Sequence, residues 1–501
     1  MSAVPDLLKI GAIPSNLNMS VETGILDPVV QNDKFIRFNM KRSGFLHSNS
    51  KLVLSLSKND IADWRQDNKH TMLPASVGVG SVIERVRLLS GNTTIQEIDD
   101  WGHLHAYRSM FISQENNKER EQYTTGRAIS MDHNYDDDDS LDTYNATDPS
   151  TPHATGVSQR SDWKSTSLTM TNGSDFYSHT ATKNSLGAAN PTTMANWTKR
   201  LQRCQYLENE PVWQVSLQDL CPFLKQTQLP LFMFSEEIYL EVTFRDSTQR
   251  AIANKTYTDS LGAGPPQVTT SYALNPVESK LIIDYITYPN ETMEAWAQAN
   301  QNLSFQYYDY ELSKMTYNQA AADKLLIRNL GGAGKVVNKV IMSVARDKTA
   351  TQAYITQING GFESRHPPNN PARDPNDCVT TNLRYNTEFL YPIDVKNDAH
   401  HFNNVLQAEG QPPMVSRSMY SSDGNLGTIK KWEGQEQRAN LVGDFFYQTF
   451  KLNKNNRINQ KGIELYQTMK GTENQDHTLR TWLEVVKVAQ LVNGKLETDF
   501  A

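Results

Sequence analysis

A chain of 501 residues with 49 basic and 56 acidic side chains carries a formal net charge of −7. Hydrophobic residues make up 38% and charged residues 21%, the shortfall in charge being filled by Asn, Gln, Ser and Thr. That balance supports a packed core and argues against a disordered chain, a coiled coil or a strongly basic nucleic-acid binder.

The length suits two large β domains as well as three smaller ones. Met1-Ser2-Ala3-Val4-Pro5-Asp6 lacks the basic-then-apolar order of a secretory signal, so none is expected. No apolar run approaches the roughly 20 residues that span a bilayer. The cysteines, Cys204, Cys221 and Cys378, are odd in number and show no C-x-x-C spacing. A reducing compartment during folding is therefore expected, with neither a disulfide framework nor a cysteine-rich zinc site.

Along the chain the dominant hydrophobic period is two. Ile36, Phe38 and Met40 alternate, as do Leu52, Leu54 and Leu56. Such strands are half-buried, as in a sandwich. Trp101–Phe111 reads as a short helix with Asp99 or Asp100 as its N-cap. From about Asn116 to Thr198 the alternation disappears into Ser, Thr, Asn, Asp and Gly, which reads as an insertion projecting from the first domain. Six aspartates, Asp132, Asp136, Asp137, Asp138, Asp139 and Asp142, fall within it and account for nearly all of the net charge. The insertion is expected on an outward face, because an unpaired cluster of like charge seeks solvent.

The strand pattern resumes at Pro211–Leu217, with Trp213 expected in the core. It is clearest in Ile238–Arg245. Ile238, Leu240, Val242 and Phe244 face inward there, and Tyr239, Glu241, Thr243 and Arg245 outward. Asp246–Pro276 holds Gly262-Ala263-Gly264-Pro265-Pro266 and reads as a linker or turn. His366–Pro371 reads as a surface loop, and Asp398–Gln407 as a second short helix ended by Gly410.

The halves echo one another. Gly80-Ser81-Val82-Ile83-Glu84-Arg85-Val86-Arg87-Leu88 aligns with Gly334-Lys335-Val336-Val337-Asn338-Lys339-Val340-Ile341-Met342 at an offset of 254 residues. Leu240-Glu241-Val242 recurs as Leu483-Glu484-Val485 at an offset of 243. Together with the break near residue 260, this favours two copies of one β domain, with the glycine-led segments as equivalent strands.

Motifs that carry chemistry are sparse. Gly331-Gly332-Ala333-Gly334-Lys335-Val336 has Asn329 and Val336 where a phosphate loop needs Gly and Ser or Thr, and reads as a turn into a strand. His103 and His105 are expected as partly exposed histidines at a helix start, with His400-His401 too remote in sequence to complete a metal site. Asp136, Asp137, Asp138 and Asp139 offer hard oxygen ligands for calcium but lack EF-hand spacing, so a solvated loop tip is the expectation. The sequons at Asn145, Asn172 and Asn196 are of the number chance supplies. No H-E-x-x-H or G-x-S-x-G motif occurs, and no catalytic residue or cofactor site is expected.

Three segments carry a resemblance. They are Val79–Leu89 leading through Ile98 into Trp101–Phe111, then Leu217-Gln218-Asp219-Leu220-Cys221-Pro222-Phe223 followed by Leu229-Pro230-Leu231, and Leu483–Gly494. In these the chain resembles the double jelly-roll major capsid proteins of small eukaryotic DNA viruses, of the polinton-like virus and virophage kind. The resemblance implies an all-β fold with a few short helices, built as two tandem eight-stranded jelly-roll barrels. It implies an N-terminal arm over residues 1–29, a first barrel over 30–250 with the insertion at 116–198, a linker over 251–276 and a second barrel over 277–501. It also implies a structural virion protein without catalysis, whose homotrimers form pseudo-hexagonal capsomers tiling an icosahedral shell. The partners implied are other copies of itself, neighbouring capsomers, and the penton and minor capsid or cement proteins of the virion. No specific nucleic-acid binding and no transmembrane segment are implied.

Two other readings stand beside it. A β-sandwich carbohydrate-binding protein or glycoside hydrolase could use Trp163, Trp197 and Trp213 against sugars, with a spatial carboxylate pair that sequence does not single out. A viral spike or receptor-binding protein would favour a fibrous repeat, and no short repeat is visible.

Overall fold

The computed structural model describes residues 19–58, 70–72, 77–111, 124–125, 212–226, 228–246, 252–254, 274–276, 278–318, 324–346, 364, 380–396, 398–413, 446–452, 457–469 and 476–500. Cys204, Cys378, the aspartate cluster with Asp136, Asp137, Asp138 and Asp139, Trp163, Trp197, the three sequons and the His366–Pro371 loop lie outside the described residues. So does the 116–198 insertion apart from Thr124 and Thr125.

The first half opens with β1 (Ser20–Leu26), β2 (Val30–Asn32), β3 (Phe35–Met40), β4 (Phe45–Leu46), β5 (Lys51–Lys58) and β6 (His70–Met72). It continues through β7 (Ile83–Ser90), β8 (Thr93–Asp99), α1 (Trp101–Ser109), β9 (Val212–Ser216), α2 (Leu217–Leu220) and α3 (Pro222–Gln226). Then come β10 (Ile238–Phe244), β11 (Ile252–Asn254), β12 (Leu274–Pro276) and β13 (Lys280–Thr287). The second half follows with α4 (Asn290–Ala299), β14 (Asn302–Asn318), β15 (Lys324–Gly331), β16 (Val337–Arg346), β17 (Thr380–Tyr385) and β18 (Glu388–Phe389). It ends with α5 (Asp398–Glu409), β19 (Gln448–Lys451), β20 (Ile463–Met469), β21 (Asp476–Val492) and β22 (Lys495–Phe500).

Alternation places the core as expected. Ile36, Phe38 and Met40 of β3, Leu52 and Leu54 of β5, Trp213 of β9, and Ile238, Leu240, Val242 and Phe244 of β10 are all buried. Burial of such side chains is worth about 1.5–3 kcal/mol each.

In the second half the strands run β14-β21-β16-β19 in one sheet and β15-β20-β17-β18 in the other, with β22 added to β21. Reading β14 to β21 in chain order, the strands cross between the two sheets in the manner of a jelly roll. The first half repeats one sheet as β2-β3-β10-β7-β8. In both halves the opening strand, the closing strand, the glycine-led strand and a fourth strand lie in that order. The facing sheet differs: β5 pairs with β9, β12 and β13, and β1 pairs with β13.

The duplicated segments fall at equivalent places. Strands β7 and β16 begin at Ile83 and Val337, 254 residues apart, although Gly78–Val82 is a 3-10 turn and Gly334–Val336 a loop. The pairing partner is also equivalent, with the register displaced by two residues: Val86 faces Val242, whereas Val340 faces Leu483. A shift of two preserves which face each side chain occupies. The matched glycines have different causes. Gly80 is pressed against Val77 and Trp101, where a Cβ would come within 2.9 and 3.1 Å. Gly334 has open space around it and a φ of +73°.

Two boundaries differ from the expectation. Ser20–Leu26, assigned to the N-terminal arm, forms β1 and is hydrogen-bonded along its length to β13. Lys280–Thr287, expected in the second domain, belongs to the first half's sheet, and the 251–276 segment contributes β11 and β12 to ladders with β6 and β5. These pairings join residues 274–276 and 280–287 to the first half, so we place the division after Thr287.

Candidate functional site at the junction of the halves

A single apolar cluster runs from Phe38, Leu88 and Trp101 of the first half to Tyr307, Ile341, Trp482 and Leu491 of the second. A second cluster, with Val340, Leu383, Leu465 and Val485, fills the second sandwich alone. The halves therefore share a core.

A β-bulge helps to seat them. Leu88 faces Gln96 and Leu89 faces Thr94, so Ile95 is the extra residue on β8. Its carbonyl accepts a 2.5 Å hydrogen bond from the Tyr307 hydroxyl. Gln96 bridges the halves, donating to Tyr308 O at 3.1 Å while its Oε1 accepts from Phe223 N at 3.0 Å. The Phe223 and Tyr307 rings meet edge to face at 4.7 Å. Tyr307→Phe should cost about 1–3 kcal/mol, because the bulge carbonyl would be buried without a donor. Chemical denaturation of the purified variant checks this.

Asp100 is the hub of a buried ionic group. Its backbone sits in the left-handed region at φ 50°, and its carbonyl accepts from His103 N and Leu104 N to open α1. The expected side-chain N-cap is absent: the carboxylate makes no capping bond and points to the other half instead. There it meets Arg480 Nε at 3.0 Å and Lys314 Nζ at 3.6 Å, while Arg245 Nη2 of its own half lies at 3.0 Å. Burial opposes this charge, but His103 and the two guanidinium groups outweigh it and hold the carboxyl far below the usual range. Burial, reinforced by Arg480, pushes His103 down to about 3, so it is neutral near pH 7. Its Nδ1 lies 3.0 Å from Arg245 Nη2, in place to accept from that guanidinium.

His103 and His105 are buried, not partly exposed as expected, because α1 lies between the halves. His105 stacks on Trp101 at 4.4 Å. His401 is buried against Phe446. Among the described residues no group of His, Cys, Asp and Glu is arranged to hold a metal ion.

The second ionic group explains the repeated Leu-Glu-Val. Glu484 sits on the central strand β21, opposite Tyr310 on one side and Lys339 on the other. It accepts from Tyr310 Oη at 2.9 Å and Asn338 Nδ2 at 2.6 Å, and lies 3.2 Å from Lys339 Nζ. Glu409 of α5 joins at 2.6 Å from Lys339 and 2.5 Å from the Tyr107 hydroxyl of α1. Burial works against the Lys339 charge, but Glu484 and Glu409 outweigh it and hold the ammonium well above the ordinary lysine range. Glu241, its counterpart on β10, lies opposite Arg37 and Arg87 and forms ion pairs with both. Expected to face outward, Glu241 does so, yet it is only 3% exposed because the two arginines cover it.

The phosphate-loop lookalike is a turn with positive φ at Gly331, Gly332 and Gly334, leading into β16. Lys335 is held by Glu311 at 2.5 Å and lies over the Phe500 ring. A cavity of about 130 Å³ near α3 is lined by Leu46, His47, Ser48, Leu217, Gln218, Leu224, Lys225 and Gln228, and contains no carboxylate. It offers no acid pair for glycoside hydrolysis. Trp213 is buried in the core and unavailable to a sugar. Cys221 is buried, and burial pushes its thiol up to about 12. No helix among the described residues is long and apolar enough to cross a membrane.

The fold defined by these sheets is an all-β double jelly roll with a few short helices. A chain of the Sputnik virophage structure is similar over 100% of this chain and 93% of its own, at 9% identity and a TM-score of 0.52. The mavirus major capsid protein is similar over 95% and 90%, at 9% identity and a TM-score of 0.51. No family model matches the sequence, and no curated protein matches it.

Proposed function

We propose that the chain is a structural virion protein, a major capsid protein without catalytic activity. Three copies form a pseudo-hexagonal capsomer, and capsomers tile an icosahedral shell. The observation that carries this reading is the fusion of two sandwiches, one sheet order repeated in both, into a block with a shared core. Three such blocks present six similar units and can cover a flat lattice. The full-length likeness to the mavirus major capsid protein supports the same reading.

Surface chemistry supports self-association. Val21, Ile25 and Val29 on or beside β1 are 50–65% exposed, and Leu325, Ile327, Phe389 and Ile393 on the second half are 50–71% exposed. Val21 and Ile25 lie four residues apart on one face of β1, and Leu325 and Ile327 two apart on one face of β15, the apolar pairing that marks surfaces another protein covers. The partners are other copies of the chain, then the penton and minor capsid or cement proteins, and the location is the capsid shell.

Electron cryo-microscopy of the purified protein tests the proposal. Threefold particles with six barrels, alone or tiled into shells, are expected. Isolated two-barrel particles at every concentration and ionic strength would refute it.

A further inference from the structure

The duplication indicates which surface of the first half is covered by a second copy, an inference that rests on the self-assembly proposed above. In the second half, the face of β21 that carries Glu484 and Trp482 is closed by the first half: Tyr107 of α1 bonds to Glu409 beside Lys339, and Trp482 Nε1 donates to Asp99 O at 3.4 Å. Strand β8, on the far side of β7 from β10, packs against β14 and β22 in the same contact. The equivalent face of the first half carries Glu241 on β10, with Tyr239 beside it and Arg37 of β3 across from it. Arg37 stays 40% exposed there and Arg87 32% exposed. One face of a duplicated pair is thus buried within the chain, and its twin is left open.

In a ring whose six barrels stand in equivalent positions, the contact made within a chain recurs between chains. The open face must then meet the second half of the next copy, on the side that corresponds to β8 and α1. In the second half that side is β19, which flanks β16 as β8 flanks β7, and α5 packs on it. Two large apolar side chains of α5, Phe402 and Leu406, lie one helical turn apart and are each 36% exposed. We infer that the face formed by Arg37, Tyr239 and Glu241 of one chain is covered by α5 and the β19 edge of a neighbouring copy.

The test places a photo-crosslinker in the face by Tyr239→p-benzoyl-Phe, in protein shown to assemble, followed by peptide mass spectrometry. Cross-linked dimers joining residue 239 to peptides from residues 380–452 of another chain are expected. Dimers joined through first-half peptides, or assembled protein without cross-links, would overturn the assignment. Wild-type protein that never assembles would instead overturn the function proposed above. Asn39→p-benzoyl-Phe, opposite Tyr239 on β3, repeats the experiment if the first probe blocks assembly. Phe402→Lys with Leu406→Lys should raise the concentration needed for assembly at least tenfold while leaving the melting of the single chain unchanged. Unchanged assembly of that double variant would also overturn the assignment.

Discussion

Asp100→Ala is expected to destabilise the chain by about 3–5 kcal/mol, because it strips the shared counter-ion from two buried guanidinium groups. Arg245 and Arg480 approach its carboxylate at 3.0 Å from opposite halves, with side chains only 11% and 10% exposed. Without Asp100 the two like charges face each other in a medium that solvates neither. Asp100→Asn should recover little, since an amide oxygen accepts a bond but supplies no charge. Asp100→Ala combined with Arg480→Met should recover part of the loss, showing that the cost lies in the orphaned cation.

The pH dependence has a definite sign. Asp100 and His103 both have lowered folded-state values. Stability from each is present above its unfolded value, about 3.9 and 6.5, and is lost as pH falls. The wild type should weaken between about pH 6.5 and 3 as unfolded His103 takes up a proton that the folded residue refuses. The gap between wild type and Asp100→Ala should narrow below about pH 4. Urea denaturation across this range reads both effects, and a gap that widens in acid would contradict the assignment.

Lys339→Met is expected to cost a similar 3–5 kcal/mol through the second ionic group. Lys339 lies between Glu409 and Glu484, at 2.6 and 3.2 Å. Methionine fills much of the space but leaves two carboxylates facing each other. Lys339→Met with Glu484→Gln should be milder than Lys339→Met alone. Urea midpoints of the three proteins at pH 7 test the pattern. A double variant no milder than Lys339→Met would mean that lost packing, not charge, is the cause.

What the sequence made legible was the relation of each strand to water. Ile36, Phe38, Met40 and Trp213 lie where alternation puts them, and α5 ends at Gly410 as its turn signal implies. The hub did not follow from alternation, because its members come together only in three dimensions. Asp100 and Arg480 are 380 residues apart in the chain. An aspartate before a helix reads as a cap, whereas here its backbone is left-handed and its carboxylate makes no capping bond. His103 and His105 read as partly exposed because nothing near them in sequence foretells that α1 is sandwiched between halves. Glu484, a lone acid amid Leu483, Val485 and Val486, was the available signal, and the matching Glu241 strengthened it.

The most direct test of self-assembly is a native mass measurement on the purified chain at micromolar concentration and physiological salt. Three copies of a 56.7 kDa chain give a species of about 170 kDa, which is the expected result, with multiples of it where capsomers tile. A monodisperse species at 56.7 kDa, with no larger form at any concentration, would contradict it.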